Sequence, residues 1–107
     1  MHGKIIRADR IRKIQKPFGW IPFGILTSGI MEHLSPAAML LYFFLCLVSD
    51  EYGVSFYGKR RLSLILKLPE ESIDSARKEL CEMDLLAFDK GLYQVLSIPE
   101  ASSLASV

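Results

Sequence analysis

The sequence predicts a mainly α-helical fold closed by a small antiparallel β-hairpin, an α+β domain, on three observations. Ser35-Pro36 opens an unbroken apolar run, residues 62–80 read as two short amphipathic helices around a tight turn, and Asp89-Lys90-Gly91 separates two β-forming stretches. With 107 residues the chain supports one hydrophobic core, because too little remains after the first to build a second. A hydrophobic fraction of 50% and a charged fraction of 23% are those of a globular protein and argue against global disorder.

The chain opens on a basic arm. Lys4, Arg7, Arg10, Arg12, Lys13 and Lys16 stand against one acid, Asp9, so the formal net charge of +1 hides an arm of about +5 and a remainder of about −4. A near-zero total gives no overall field toward nucleic acid or membrane, and anion binding must come from a local patch. Such an arm suits an anionic partner, and its bland alternative is a solvated terminus. Ile5, Ile6, Ile11 and Ile14 predict that part of it packs on the domain. The connection Pro17-Phe18-Gly19-Trp20-Ile21-Pro22 reads as extended, with Trp20 a packing anchor rather than a stacking platform.

The domain is expected over residues 23–98, after an arm and connection at 1–22 and before a disordered tail at 99–107. Ile25, Leu26, Ile30 and Leu34 lie near helical spacing and predict a short helix over 23–34, weakened by Gly24 and Gly29. Ser35 can cap the next helix while Pro36 fits its first turn, and that helix runs to about Ser49. The apolar stretch 37–48 is too short to span a bilayer, which takes about 20 residues, and acids flank it. It reads as a buried helix or an oligomer contact. Asp50-Glu51-Tyr52-Gly53 is a polar exit into a short strand, Val54-Ser55-Phe56. Leu62, Ile65 and Leu66 form one apolar face, Leu68 closes the corner, and Ile73, Ala76 and Leu80 line a second helix, with Ala76 small enough for a close helix crossing. The final hairpin pairs stretches flanking Asp89-Lys90-Gly91 and can take Val54-Ser55-Phe56 as a third strand.

This order, over residues 34–98, resembles the winged helix-turn-helix superfamily. Leu66-Lys67-Leu68, Glu70-Glu71-Ser72-Ile73, Ala76 and Glu79-Leu80 carry the likeness, and Trp20-Ile21-Pro22 with Leu34-Ser35-Pro36-Ala37 is similar to N-terminal winged-helix domains of bacterial plasmid and phage replication initiators. The resemblance implies double-stranded DNA as partner and a transcriptional, replication or mobile-element role. Lys59, Arg60 and Arg61 would then contact phosphate, Ser72, Ser75 and Lys78 would face the bases, and Lys90 would sit at the wing tip. Three cations at a helix start oppose the helix dipole by a few tenths of a kcal/mol, roughly, which favours a ligand-facing role for them.

The sequence departs from the superfamily pattern at several positions. Asp74 stands where DNA-binding members often carry Arg or Lys, Lys67 where a turn glycine is customary, Pro69 where Ser or Thr caps, and Asp84 where a glycine often precedes the wing. Arg77 takes a position that commonly buries leucine and reads as structural. With Glu70, Glu71 and Asp74 on the third helix, a protein-interaction or dimerisation module without DNA binding is the alternative, using the apolar first helix for a homodimer.

Catalytic chemistry has no footing in this sequence. His2 and His33 lie in no motif, Cys46 and Cys81 read as free buried thiols, and no phosphate loop, dinucleotide fingerprint or zinc spacing occurs. The expectation is a cytoplasmic, non-enzymatic protein with no cofactor, no metal and no membrane contact.

Overall fold

A computed structural model describes residues 4–13 and 15–98. After a 3-10 turn at Ala8–Arg10 come α1 (Gly24–Thr27), a second 3-10 turn at Ile30–His33, α2 (Pro36–Val48), β1 (Val54–Phe56), α3 (Lys59–Leu66), α4 (Glu70–Glu82), β2 (Leu86–Asp89) and β3 (Leu92–Val95). The fold is α+β: four helices and one antiparallel sheet in the order β1-β3-β2. Its core is drawn from α2 (Ala38, Leu41, Leu45), α3 (Leu62), α4 (Ile73, Ala76, Leu80) and the sheet region (Leu85, Leu86, Tyr93). Among the described residues no helix is long and apolar enough to cross a membrane.

α2 begins where sequence chemistry places it. Ser35 is extended, its Oγ accepts from the Ala38 amide at 3.2 Å, and Pro36 fills the first turn. A second device was not foreseen: the Ser35 amide and hydroxyl both donate to the Glu79 carboxylate, at 2.6 and 2.8 Å, so α4 ties down the start of α2. At the other end Asp50 Oδ1 accepts from the Tyr52 and Val54 amides at 2.8 and 2.9 Å and turns the chain into β1.

α3 and α4 both end on a residue forced into the left-handed region. Lys67 (φ 58°) and Asp84 (φ 61°) stand there, and the amides of the following Leu68 and Leu85 bond back to the Ser63 and Leu80 carbonyls at 3.2 and 3.0 Å, the Schellman closure. These are two of the positions where the resemblance leads one to expect glycine. The hairpin register, Asp89 opposite Leu92, leaves Lys90-Gly91 as a two-residue turn with φ of 47° and 89°, the type I′ geometry that matches strand twist.

Several expectations fail. The helix over 23–34 is split: a left-handed Gly29 (φ 82°) separates α1 from the 3-10 turn, in a stretch whose glycines, Thr27 and Ser28 propagate a helix poorly. Ile5, Ile6 and Ile11 are exposed rather than packed, since the interleaved cations leave no continuous apolar face; Ile14 lies outside the described residues. Trp20 is no core anchor. It is 70% exposed at the rim of a cleft of about 400 Å³, because the connection meets α2 through Gly19, whose backbone lies against Leu47. In α3 the buried stripe is Leu62 with Leu66 beside it, and Ile65, displaced around a helix of only eight residues, stays exposed. Cys46 is buried but Cys81 only partly, and burial raises both thiols above their ordinary pKa. The expected tail at 99–107 and His2 lie outside the described residues.

Candidate nucleic-acid interface

Four segments supply the predicted contact residues: the arm, the start of α3, the outer face of α4 and the Lys90 turn. The fold brings the entry to α3 and the Lys90 turn together at one end of the sheet. β1 ends opposite the β2-β3 turn: Phe56 pairs with Leu92, and the Tyr57 amide donates to the Gly91 carbonyl at 3.0 Å. Two residues after Tyr57 the chain enters α3, so Lys59, Arg60 and Arg61 start beside the turn that carries Lys90. One backbone step spans at most about 3.8 Å, so Lys59 enters α3 within two steps of the residue bonded to that turn, and Arg60 and Arg61 follow it in the first turn of α3.

The cations there are not equivalent. Lys59 Nζ lies 3.1 Å from Asp74 Oδ2, an ion pair between the starts of α3 and α4. Arg61 stacks over Tyr57 at 5.2 Å from the ring centroid, and Tyr57 meets Phe44 edge-on at 5.2 Å. Arg60 and Lys90 are exposed and have no ion pair among the described residues. Gly58, at the helix cap, offers no side-chain acceptor to the free amides of α3, which remain open to an anion.

Asp74 sits at the centre of a structural network. Its other oxygen accepts from Arg77 Nη1 at 2.9 Å, and Arg77 lies over the Phe88 ring at 4.5 Å, with Phe88 against Tyr93 at 4.8 Å. Lys59 first, then Arg77, holds the Asp74 carboxyl below its ordinary pKa. Partial burial opposes the Arg77 charge, but its bonds to Asp74 and Tyr93 prevail and raise its pKa. The Asp74 charge is therefore neutralised from within the molecule, and Arg77 packs against Phe88 of the β2-β3 hairpin.

The solvent face of α4 carries the remaining predicted contacts. Exposed residues recur at i, i+4, i+7 and i+11 as Glu71, Ser75, Lys78 and Glu82, opposite the buried Ile73, Ala76 and Leu80. Ser75 and Lys78 thus lie on the outward face, between two acids, whereas Ser72 is half-buried on its flank. Glu70 and Glu71 occupy the first turn after Pro69, which has no side-chain cap, and there they complement the helix dipole.

The arm stands apart. Arg7 pairs with Asp9 at 2.7 Å, and Arg10, Arg12 and Lys13 are exposed. Among the described residues no hydrogen bond or ion pair joins residues 4–16 to α3, α4 or the wing. Sequence reading missed the Lys59–Asp74 pair and the Glu79 tie to Ser35. The i,i+3 spacing of Asp74 and Arg77 was a usable signal, but partners 15 and 44 residues away leave none.

The elements define a small α+β domain with a basic end and a mixed-charge outer helix. No family model matches the chain, and no curated protein or solved structure does so either.

Proposed function

We propose that this chain is a winged helix-turn-helix protein that binds double-stranded DNA in the cytoplasm, in a transcriptional, replication or mobile-element role. The observation that carries the reading is the Tyr57–Gly91 hydrogen bond of 3.0 Å, which ties the entry to α3, where Lys59, Arg60 and Arg61 begin, to the turn that carries Lys90. α4, with Ser75 and Lys78 outward, is the element that enters the groove. Affinity comes chiefly from Arg60, Arg61, Lys90 and the arm cations Arg7, Arg10, Arg12 and Lys13, since the face of α4 carries as many acids as it can offer contacts.

The test is duplex binding as a function of salt. Each phosphate contact adds about 0.9 to the slope of log affinity against log salt, so Arg60→Ala with Arg61→Ala should flatten it by up to roughly 1.8. Duplex binding that is absent at physiological salt, or a slope unmoved in the double variant, overturns the assignment.

A further inference from the structure

α2 carries an outer face that the monomer leaves uncovered. Leu40, Phe43 and Leu47, at i, i+3 and i+7, are 38%, 52% and 53% exposed, on a helix in which residues 36–48 include no charged side chain. The neighbouring chain extends this surface. Gly19 lies so close to the Leu47 backbone that a β-carbon on it would come within 2.5 Å of the Leu47 Cα, so the chain at the neighbouring Phe18 passes next to the end of α2. Ile21, Met31 and Phe43 line one apolar groove of about 200 Å³. Phe18, Ile21 and Met31 are 55%, 41% and 43% exposed.

We propose that this face, Leu40, Phe43 and Leu47 with Phe18, Ile21 and Met31, is the interface through which two copies of the chain form a two-fold dimer. Area is the first argument. Phe18 and Phe43 present roughly 150–250 Å² each when fully exposed and the four aliphatic side chains somewhat less, so the six at about half exposure leave on the order of 500 Å² of apolar surface in water. That is near the top of the range for the largest patch on a typical monomer, about 300–600 Å². With a polar rim added it approaches the ~800 Å² per partner of a standard interface.

Symmetry is the second argument. Two α2 helices run antiparallel place Leu40 opposite the partner's Leu47 and bring Phe43 next to the axis, so the stripe complements itself, as an isologous contact requires. The six residues include no charge that would select a different protein.

The inference does not depend on DNA binding and is tested without DNA. Sedimentation equilibrium of the full chain, from about 1 μM to about 500 μM, should show the mass rising from 12.1 kDa toward twice that value. Phe43→Glu should raise the dimer dissociation constant by at least about tenfold with an unchanged circular dichroism spectrum. Leu47→Lys, nearer the helix end, serves if Phe43→Glu does not fold. A wild-type chain that stays at 12.1 kDa throughout overturns the proposal. So does a dimer equally stable in a folded variant, or a mass that climbs past two copies.

Discussion

α2 and α4 are each thirteen residues long and pack into the same core, yet their outer faces differ in kind. α2 turns Leu40, Phe43 and Leu47 outward and contains no charge, whereas α4 turns out Glu71, Ser75, Lys78 and Glu82. A helix that is apolar on all sides needs cover on all sides, while an amphipathic one is complete with one face in water. Their N-termini differ to match. Ser35 and Pro36 build a side-chain cap for α2, and α4 starts after Pro69 with two glutamates near its unpaired amides. The two helices are joined by Glu79, which belongs to the charged helix and completes the cap of the uncharged one. Burial thus places one face of α2 in the core and leaves its other, apolar face for the proposed second copy, while α4 turns its polar face to water.

The largest expected effect lies in the contrast between the two sides of α2. Leu45 is fully buried and Leu47 about half exposed. Leu45→Ala should destabilise the chain by about 2–5 kcal/mol, from lost transfer energy and a residual cavity. Leu47→Ala should stay within about 0.5 kcal/mol when measured dilute enough to be monomeric. Urea denaturation at low protein concentration separates the two. If Leu47→Ala matches Leu45→Ala there, the outer stripe is part of the core and the contrast collapses.

A smaller effect is expected at the joint between the helices. Glu79→Ala removes two charge-assisted hydrogen bonds to Ser35, and because that site is open to water the loss should fall near the low end for such bonds, about 1.5 kcal/mol. Ser35→Ala should lose about 1 kcal/mol through the cap. The double variant should lose less than the sum, since both changes break the Ser35 Oγ–Glu79 contact. Additive losses in a denaturation cycle would mean that Glu79 acts on α2 through something other than Ser35.

What the sequence disclosed follows the reach of each interaction. The α2 cap, the buried triad Ile73, Ala76 and Leu80, and a hairpin turn containing Lys90 and Gly91 were legible, because each rests on neighbours within a turn or on period, though Asp89, read as part of the turn, proves to be the last residue of β2. Trp20 misled because an aromatic beside prolines looks like an anchor, and only the close pass of Gly19 over Leu47 reveals which atom takes the contact. The split at Gly29 was signalled by a glycine whose effect on a weak helix could be read as either a flaw or a break. At the interface, residue types were legible and their availability was not. Lys59 looks like Arg60 in sequence, but one already faces Asp74 and the other faces water.

That last difference gives the smallest and most local prediction. Lys59 first, and then Arg77, lowers the Asp74 pKa below its ordinary value of 3.8. A carboxylate with a depressed folded-state pKa contributes its stability above the unfolded value and loses it as pH falls through the folded one. The melting temperature of the wild type should therefore exceed that of Asp74→Asn near neutrality, and the gap should close only below pH 3.8. The pair is largely in solvent, so the gap should be modest and should shrink further with salt. A gap that is constant through the acid range would show that Asn perturbs α4 itself. The same variant frees Lys59 while removing an acid from the basic end. If the proposed DNA binding holds, duplex binding by Asp74→Asn should be tighter, with a salt slope steeper by about 0.9, whereas Arg77→Gln, which strips a contact to Phe88 and leaves Lys59 bound to Asp74, should not steepen it.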